Sequence, residues 1–126
     1  MELKKKLEAN EFGKFAEEIV AQEYQKRGFT ILEKRFKSGK SEIDLIAQKD
    51  DNIIFIEVKA RSGKDENPLA TVTLDKRRRM VKVADSFLQR LQGEYFYRFD
   101  IGTVIGNTKE YSIEIYEDAF VAADLF

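Results

Sequence analysis

The tightest constraint in this 126-residue chain lies in its middle, where Glu42 to Gln48 and Ile53 to Arg61 are joined by the polar Lys49-Asp50-Asp51-Asn52. Two alternating runs rich in β-branched residues, separated by so short a turn, read as a β-hairpin. Folding it symmetrically about Asp50 and Asp51 sets Asp44 opposite Glu57, Glu42 opposite Lys59 and Ile46 opposite Phe55. Side chains alternate along a strand, so these six share one face, while Ile43, Leu45 and Ala47 meet Ile54, Ile56 and Val58 on the other. The second set is a core layer. The first set needs explaining, because directly opposed carboxylates have Cβ atoms only about 4.5–5.5 Å apart and like charges so placed destabilise a sheet.

A divalent cation between Asp44 and Glu57 offsets that repulsion, since Mg²⁺ prefers one or two carboxylates together with waters and phosphate oxygens. Lys59 projects from the same face one strand step on, where it can orient an attacking water or stabilise a phosphorane-like transition state. The competing reading is a solvated face with a Glu42–Lys59 ion pair and a protonated or water-bridged Asp44–Glu57 pair. Ile46 and Phe55 favour the cation, because they imply a partly covered face and semi-buried carboxylates. Composition narrows the chemistry further. With no cysteine and no histidine, thiolate and imidazole chemistry are excluded, and any metal must be hard and oxygen-ligated.

The rest of the chain supplies layers for this hairpin. From Asn10 as N-cap, Phe12, Phe15, Ala16, Ile19, Val20 and Tyr24 recur at helical spacing to Arg27, and Gly28 supplies the stop. Phe29 to Phe36 reads as a strand before a turn at Lys37 to Lys40. A polar loop holding the only proline, Pro68, leads to a second helix capped by Thr73 and ended by Gly93, with Met80, Ala84, Phe87, Leu88 and Leu91 inward. Tyr95 to Ile105 and Tyr111 to Tyr116 form another strand pair. The order α-β-β-β-α-β-β predicts one α/β domain over residues 1–126, with helices on a mixed five-stranded sheet. Apolar residues at 43% provide enough material for a core at this length.

Net charge, −1 from 22 basic and 23 acidic residues, gives no global attraction to nucleic acid, so local clustering must carry any such argument. Lys76-Arg77-Arg78-Arg79 with Lys82, next to Arg61 and Lys64, is the densest basic cluster. Cations at a helix N-terminus oppose the macrodipole by about 0.3–1 kcal/mol each, which points to a phosphate partner against the plainer reading of a solvated helix face. Arg98 and Asp100 are expected to pair structurally, and Tyr95, Phe96 and Tyr97 to lie in the core. No apolar run approaches membrane-spanning length, so a soluble, cytoplasmic protein without a membrane partner is expected.

Glu42-Ile43-Asp44-Leu45-Ile46-Ala47 followed by Ile54-Phe55-Ile56-Glu57-Val58-Lys59-Ala60-Arg61 closely resembles the paired motifs of the YraN-like family of small bacterial endonuclease-type proteins. Gly13, Glu17, Gly28 with Ile31-Leu32, Pro68 with Val72-Thr73, Lys76, Arg98-Phe99-Asp100 and Ala119-Phe120 also fall where that pattern places them. The family is similar to archaeal Holliday junction resolvases and to the PD-(D/E)XK nucleases, which implies a restriction-endonuclease-like fold. It implies Asp44, Glu57 and Lys59 as catalytic residues, with Glu17 joining Asp44 and Glu57 around Mg²⁺ or Mn²⁺. It further implies DNA, branched or structured, as substrate and a homodimer as the assembly. Lys76, Arg78, Arg79, Lys82 and Arg61 would then contact phosphates. The alternative from another class is a catalytically weak nucleic-acid-binding module or repair and recombination accessory, and a third is a protein-interaction domain. Ser41 and Ala16 depart from the pattern by replacing glycines, which bears on substrate fit if position 41 needs positive φ.

Overall fold

The computed structural model describes residues 2–63 and 67–126. Helix α1 (Glu2–Lys26) precedes three antiparallel strands, β1 (Thr30–Ser38), β2 (Ser41–Lys49) and β3 (Asn52–Arg61). A short helix α2 (Pro68–Thr71) and helix α3 (Leu74–Leu88) lead to β4 (Phe96–Gly106) and β5 (Tyr111–Phe120). The five strands lie side by side in chain order. β3 and β4 run parallel, and the other neighbours antiparallel, so the sheet is mixed. The α/β class, the five strands and the α-β-β-β-α-β-β order agree with expectation, with the one-turn α2 added.

Each sheet face carries its own core. Ala16, Ile19, Val20 and Tyr24 of α1 cover Leu45, Ala47, Ile54, Ile56 and Val104. Met80, Val83, Ala84 and Phe87 of α3 cover Ile46, Ile53, Phe55 and Phe99. A Cβ at Gly102 would come within 2.8 Å of Val20, so glycine there lets α1 sit close on β4. Ala16, one of the two departures from the family pattern, is fully buried in the α1 layer.

Several boundaries differ from those read in the sequence. α1 begins eight residues before Asn10, which is helical and not a cap. Glu2 to Glu11 are exposed, so this extension rests on helix-forming side chains such as Leu, Lys, Glu and Ala and shows no apolar face. α3 stops at Leu88 rather than Gly93. Phe96 and Tyr97 are exposed at the start of β4 instead of lying in the core, although the Tyr97 ring still packs on Phe55 and Phe99. Arg98 and Asp100 do pair, at 2.9 Å, and buried Asp100 also accepts from the Tyr24 hydroxyl and the Asp118 amide.

Candidate metal and nucleic-acid site

The expected hairpin register holds from Lys49–Asn52 to Leu45–Ile56 and then stops, one step short of Asp44 and Glu57. β2 remains paired with β1 as far as Ser41, so β2 and β3 form a fork. The cause is local. Arg35 of β1 adopts left-handed backbone at φ 52, and no pairing joins it to Asp44. Side-chain alternation breaks there: Lys34 reaches Glu18 on the α1 side, whereas Phe36 packs on Phe87 of α3. In β2, Leu45 faces α1 and Ile43 joins the α3 core, which corrects the expectation that Ile43 shares a face with Leu45.

Asp44 occupies the crossing point. One of its carboxylate oxygens accepts from the Val58 amide at 2.8 Å, taking up a donor at the fork. Glu57 comes from the opposite side, where its Oε2 lies 2.6 Å from Lys76 Nζ and 3.7 Å from Lys59 Nζ. Glu57 is almost wholly buried, and Oε2 receives no hydrogen bond of regular geometry. The expected single face bearing Asp44, Glu57 and Lys59 is therefore replaced by an encounter across the fork. The three side chains still come together.

Burial, then the adjoining Glu57 carboxylate, pushes Asp44 up to about 8 from an ordinary 3.8. Burial also acts to raise Glu57, but Asp44 as a hydrogen-bond donor and the ammoniums of Lys76 and Lys59 outweigh it and hold Glu57 below its ordinary value. Without a metal, one proton and one ammonium neutralise the pair. Two hard carboxylates, one with a buried oxygen lacking a regular hydrogen bond, fit the donor set of Mg²⁺ or Mn²⁺.

Glu17 lines a cavity of about 420 Å³ with Asp44, Lys14 and Arg35. Its carboxylate is gripped by Arg35 at 2.8 and 3.2 Å, and among the described residues no three acidic side chains gather closely enough to hold a metal. Arg35 went unnoticed in the sequence, where a left-handed arginine inside a strand has no local signal.

The basic cluster divides. Arg78 donates through Nε to the Leu125 carbonyl and lies 3.6 Å from Asp75, so it ties α3 to the C-terminal tail while its side chain stays 43% exposed. Arg77 donates to the carbonyls of Val72 and Leu69 and ties α2 to α3. Lys76 points at Glu57, and Arg79 lines the same groove as Lys76, Lys40 and Glu42. Lys82 is exposed one turn farther along α3. Arg61 borders Lys59 in another cavity, and Lys64 lies outside the described residues. Ser41 is not among the residues with positive φ, so its side chain brings no backbone strain.

A family model described as "Uncharacterised protein family UPF0102" matches residues 16–104, a span that holds Glu17, Asp44, Glu57, Lys59, Lys76 and Arg79. A UPF0102 protein of Flavobacterium psychrophilum is 39% identical over 114 residues, covering 90% of this chain and 96% of that protein. UPF0102 proteins of Phocaeicola vulgatus and Clostridium perfringens are 37% and 38% identical, covering 90% and 86% of this chain and 94% and 92% of theirs. Among the described residues, no helix is long and apolar enough to cross a membrane.

Proposed function

We propose that this chain, which belongs to the uncharacterised protein family UPF0102, is a divalent-metal-dependent nuclease acting on branched or structured DNA. The observation that carries this reading is the meeting of Asp44 with a buried Glu57 at the fork, flanked by two ammonium groups. Two carboxylates placed together under cover call for a cation.

Asp44 and Glu57 hold Mg²⁺ or Mn²⁺. A cation so bound supplies Lewis acidity to a phosphoryl oxygen and eases deprotonation of the attacking water. Lys59, with its side chain still 19% exposed, turns its ammonium towards charge developing on the phosphorus-bound oxygens. Lys76 balances the Glu57 carboxylate, and its partly exposed ammonium stands where it would also meet a phosphate brought to the carboxylates. Arg79, Lys82 and Arg61 add phosphate contacts from α3 and from the end of β3, whereas Arg78 stays with the tail. Glu17 contributes negative charge near Asp44 while it remains bound to Arg35. A homodimer, as in junction resolvases, suits a branched substrate.

The Lys76–Glu57 contact favours one second reading, a binding module whose lysine permanently occupies the cation's place. A divalent-metal screen over single-stranded, duplex, flap and four-way-junction DNA separates the two. Cleavage by the wild type that is lost in Asp44→Asn supports the nuclease. DNA binding without cleavage under any metal replaces it with the binding module.

A further inference from the structure

Gly28, Gly39, Gly93 and Gly106 adopt positive φ, and Gly102 leaves room for Val20. Gly13 has neither reason. It lies in the middle of α1, where alanine is the better helix former, and a Cβ built on it would meet nothing within 4 Å. The space beside it is the cavity of about 420 Å³ that ends on Asp44. Glycine at this position therefore costs helix stability and keeps that cavity open.

The same side of α1 carries cations. Lys6, Asn10 and Lys14 follow at four-residue spacing, so they stand in line along the helix beside Gly13, and all three are exposed. Asn10 and Lys14 border the cavity, as does Glu17, whose carboxylate is matched by Arg35 at 2.8 Å. Among the described residues no ion pair engages Lys6 or Lys14. The acidic Glu8 and Glu11 lie round the helix, on the wall of a separate cavity. Lys6 and Lys14 are two turns apart, about 12 Å along the axis, which is too far to grip one small anion and suits successive phosphates of a strand. Asp44 is reached through this cavity from the α1 side, whereas Glu57 meets Lys76 on the α3 side. A strand whose phosphate meets both carboxylates therefore passes between the two helices.

We propose that the Lys6–Asn10–Lys14 line of α1 is a second nucleic-acid contact surface, facing the strand from the side opposite α3, with the sugar–phosphate backbone lying against the bare helix at Gly13. The inference rests on the nuclease reading and deepens it by naming what holds the substrate strand on the Asp44 side. Asn10 and Lys14 donate N–H groups to phosphate oxygens, contacts that position a strand without reading its sequence. A longer side chain at position 13 would occupy the room that the sugar needs.

The test measures binding of four-way-junction DNA by fluorescence anisotropy in EDTA, so that cleavage plays no part, and Mn²⁺ affinity by calorimetry. Gly13→Ala should melt at a higher temperature than the wild type, because the added methyl favours the helix and meets no neighbour. Gly13→Leu should bind Mn²⁺ within a few-fold of the wild type and yet bind the junction about tenfold more weakly. Lys14→Ala should reduce the slope of log affinity against log salt by roughly 0.7–0.9. A lower melting temperature for Gly13→Ala, full DNA affinity in Gly13→Leu, or an unchanged salt slope in Lys14→Ala overturns the α1 surface and leaves the nuclease reading standing. Absence of wild-type binding to any DNA of the metal screen, both in EDTA and with Mg²⁺, overturns the nuclease reading and the α1 surface with it.

Discussion

Lys76 reaches from the first turn of α3 to within 2.6 Å of the buried Glu57 carboxylate on β3. This contact joins the α3 layer to the point where β2 and β3 part. Its ammonium is partly exposed while its partner is not, so each end of the contact has a different dependence on solvent. Lys76→Met should destabilise the metal-free protein by about 1–2 kcal/mol, below the full loss for a buried pair because Lys76 is solvated and Lys59 remains nearby. Millimolar Mg²⁺ should restore much of the loss. Urea denaturation with and without Mg²⁺ checks both, and a stability loss indifferent to Mg²⁺ would detach Glu57 from metal binding.

The raised Asp44 pKa makes stability depend on pH in an unusual direction. Between its ordinary 3.8 and about 8, folded Asp44 keeps a proton that the unfolded chain has released, so stability falls as pH rises through that window. Glu57 acts oppositely: its lowered pKa contributes stability above its ordinary 4.5, and that contribution is lost as pH falls below it. Metal-free wild type should therefore melt at a higher temperature near about pH 5 than near about pH 9. Asp44→Asn should flatten this slope and equal or exceed the wild type at the higher pH, since an amide oxygen can still accept from Val58. Thermal melts of both proteins in EDTA read the difference.

Metal affinity should move the other way with pH, because binding requires Asp44 to release its proton. Calorimetric titration with Mn²⁺ should show binding that tightens as pH approaches about 8. Asp44→Asn should lose most of it, and equal affinity in the two proteins would remove Asp44 as a ligand.

Lys59→Ala should lower the single-turnover cleavage rate by roughly 10²–10³-fold at saturating metal, the loss typical of one charge-stabilising group. Mn²⁺ binding should persist within a few-fold. A variant that cuts at the wild-type rate would reduce Lys59 to a neighbour of Glu57.

The divided basic cluster predicts two different outcomes on one helix. Arg79→Ala and Lys82→Ala should each reduce the slope of log affinity against log salt by roughly 0.7–0.9, depending on whether the partner is single- or double-stranded. Arg78→Ala should leave that slope unchanged and loosen the tail at Leu125, seen as faster amide exchange there. A fall in slope for Arg78→Ala would return it to the phosphate face.

The hairpin was legible because its turn at Asp50 and Asp51 fixes register by symmetry, and five residue pairs follow it. That symmetry fails at Asp44 because Arg35, on a different strand, adopts left-handed backbone there, a cross-strand effect that periodicity within β2 cannot carry. Asn10 resembled a cap only because Glu2 to Glu11 present no apolar stripe to mark them as helix. α2 did carry a signal: Asn67 caps it and Pro68 opens it, a pairing passed over inside a polar loop. The roles of Glu17 and Arg78 depend on partners 18 and 47 residues away, so the residue types signalled charge and the fold decided its use.

The fork also determines where this molecule tolerates growth. Asp44 and Glu57 are located by the divergence of β2 from β3, while the turn at Asp50 and Asp51 lies at the other end of five paired rungs. Residues inserted between Asp50 and Asp51 would bulge outward and leave those rungs in place. A single residue inserted in β1 between Leu32 and Arg35 would instead change which rung stands beside Asp44 and turn its carboxylate away from Glu57. Length variation is thus expected to accumulate at the hairpin tip, and the spacing from β1 to Asp44 to remain constant.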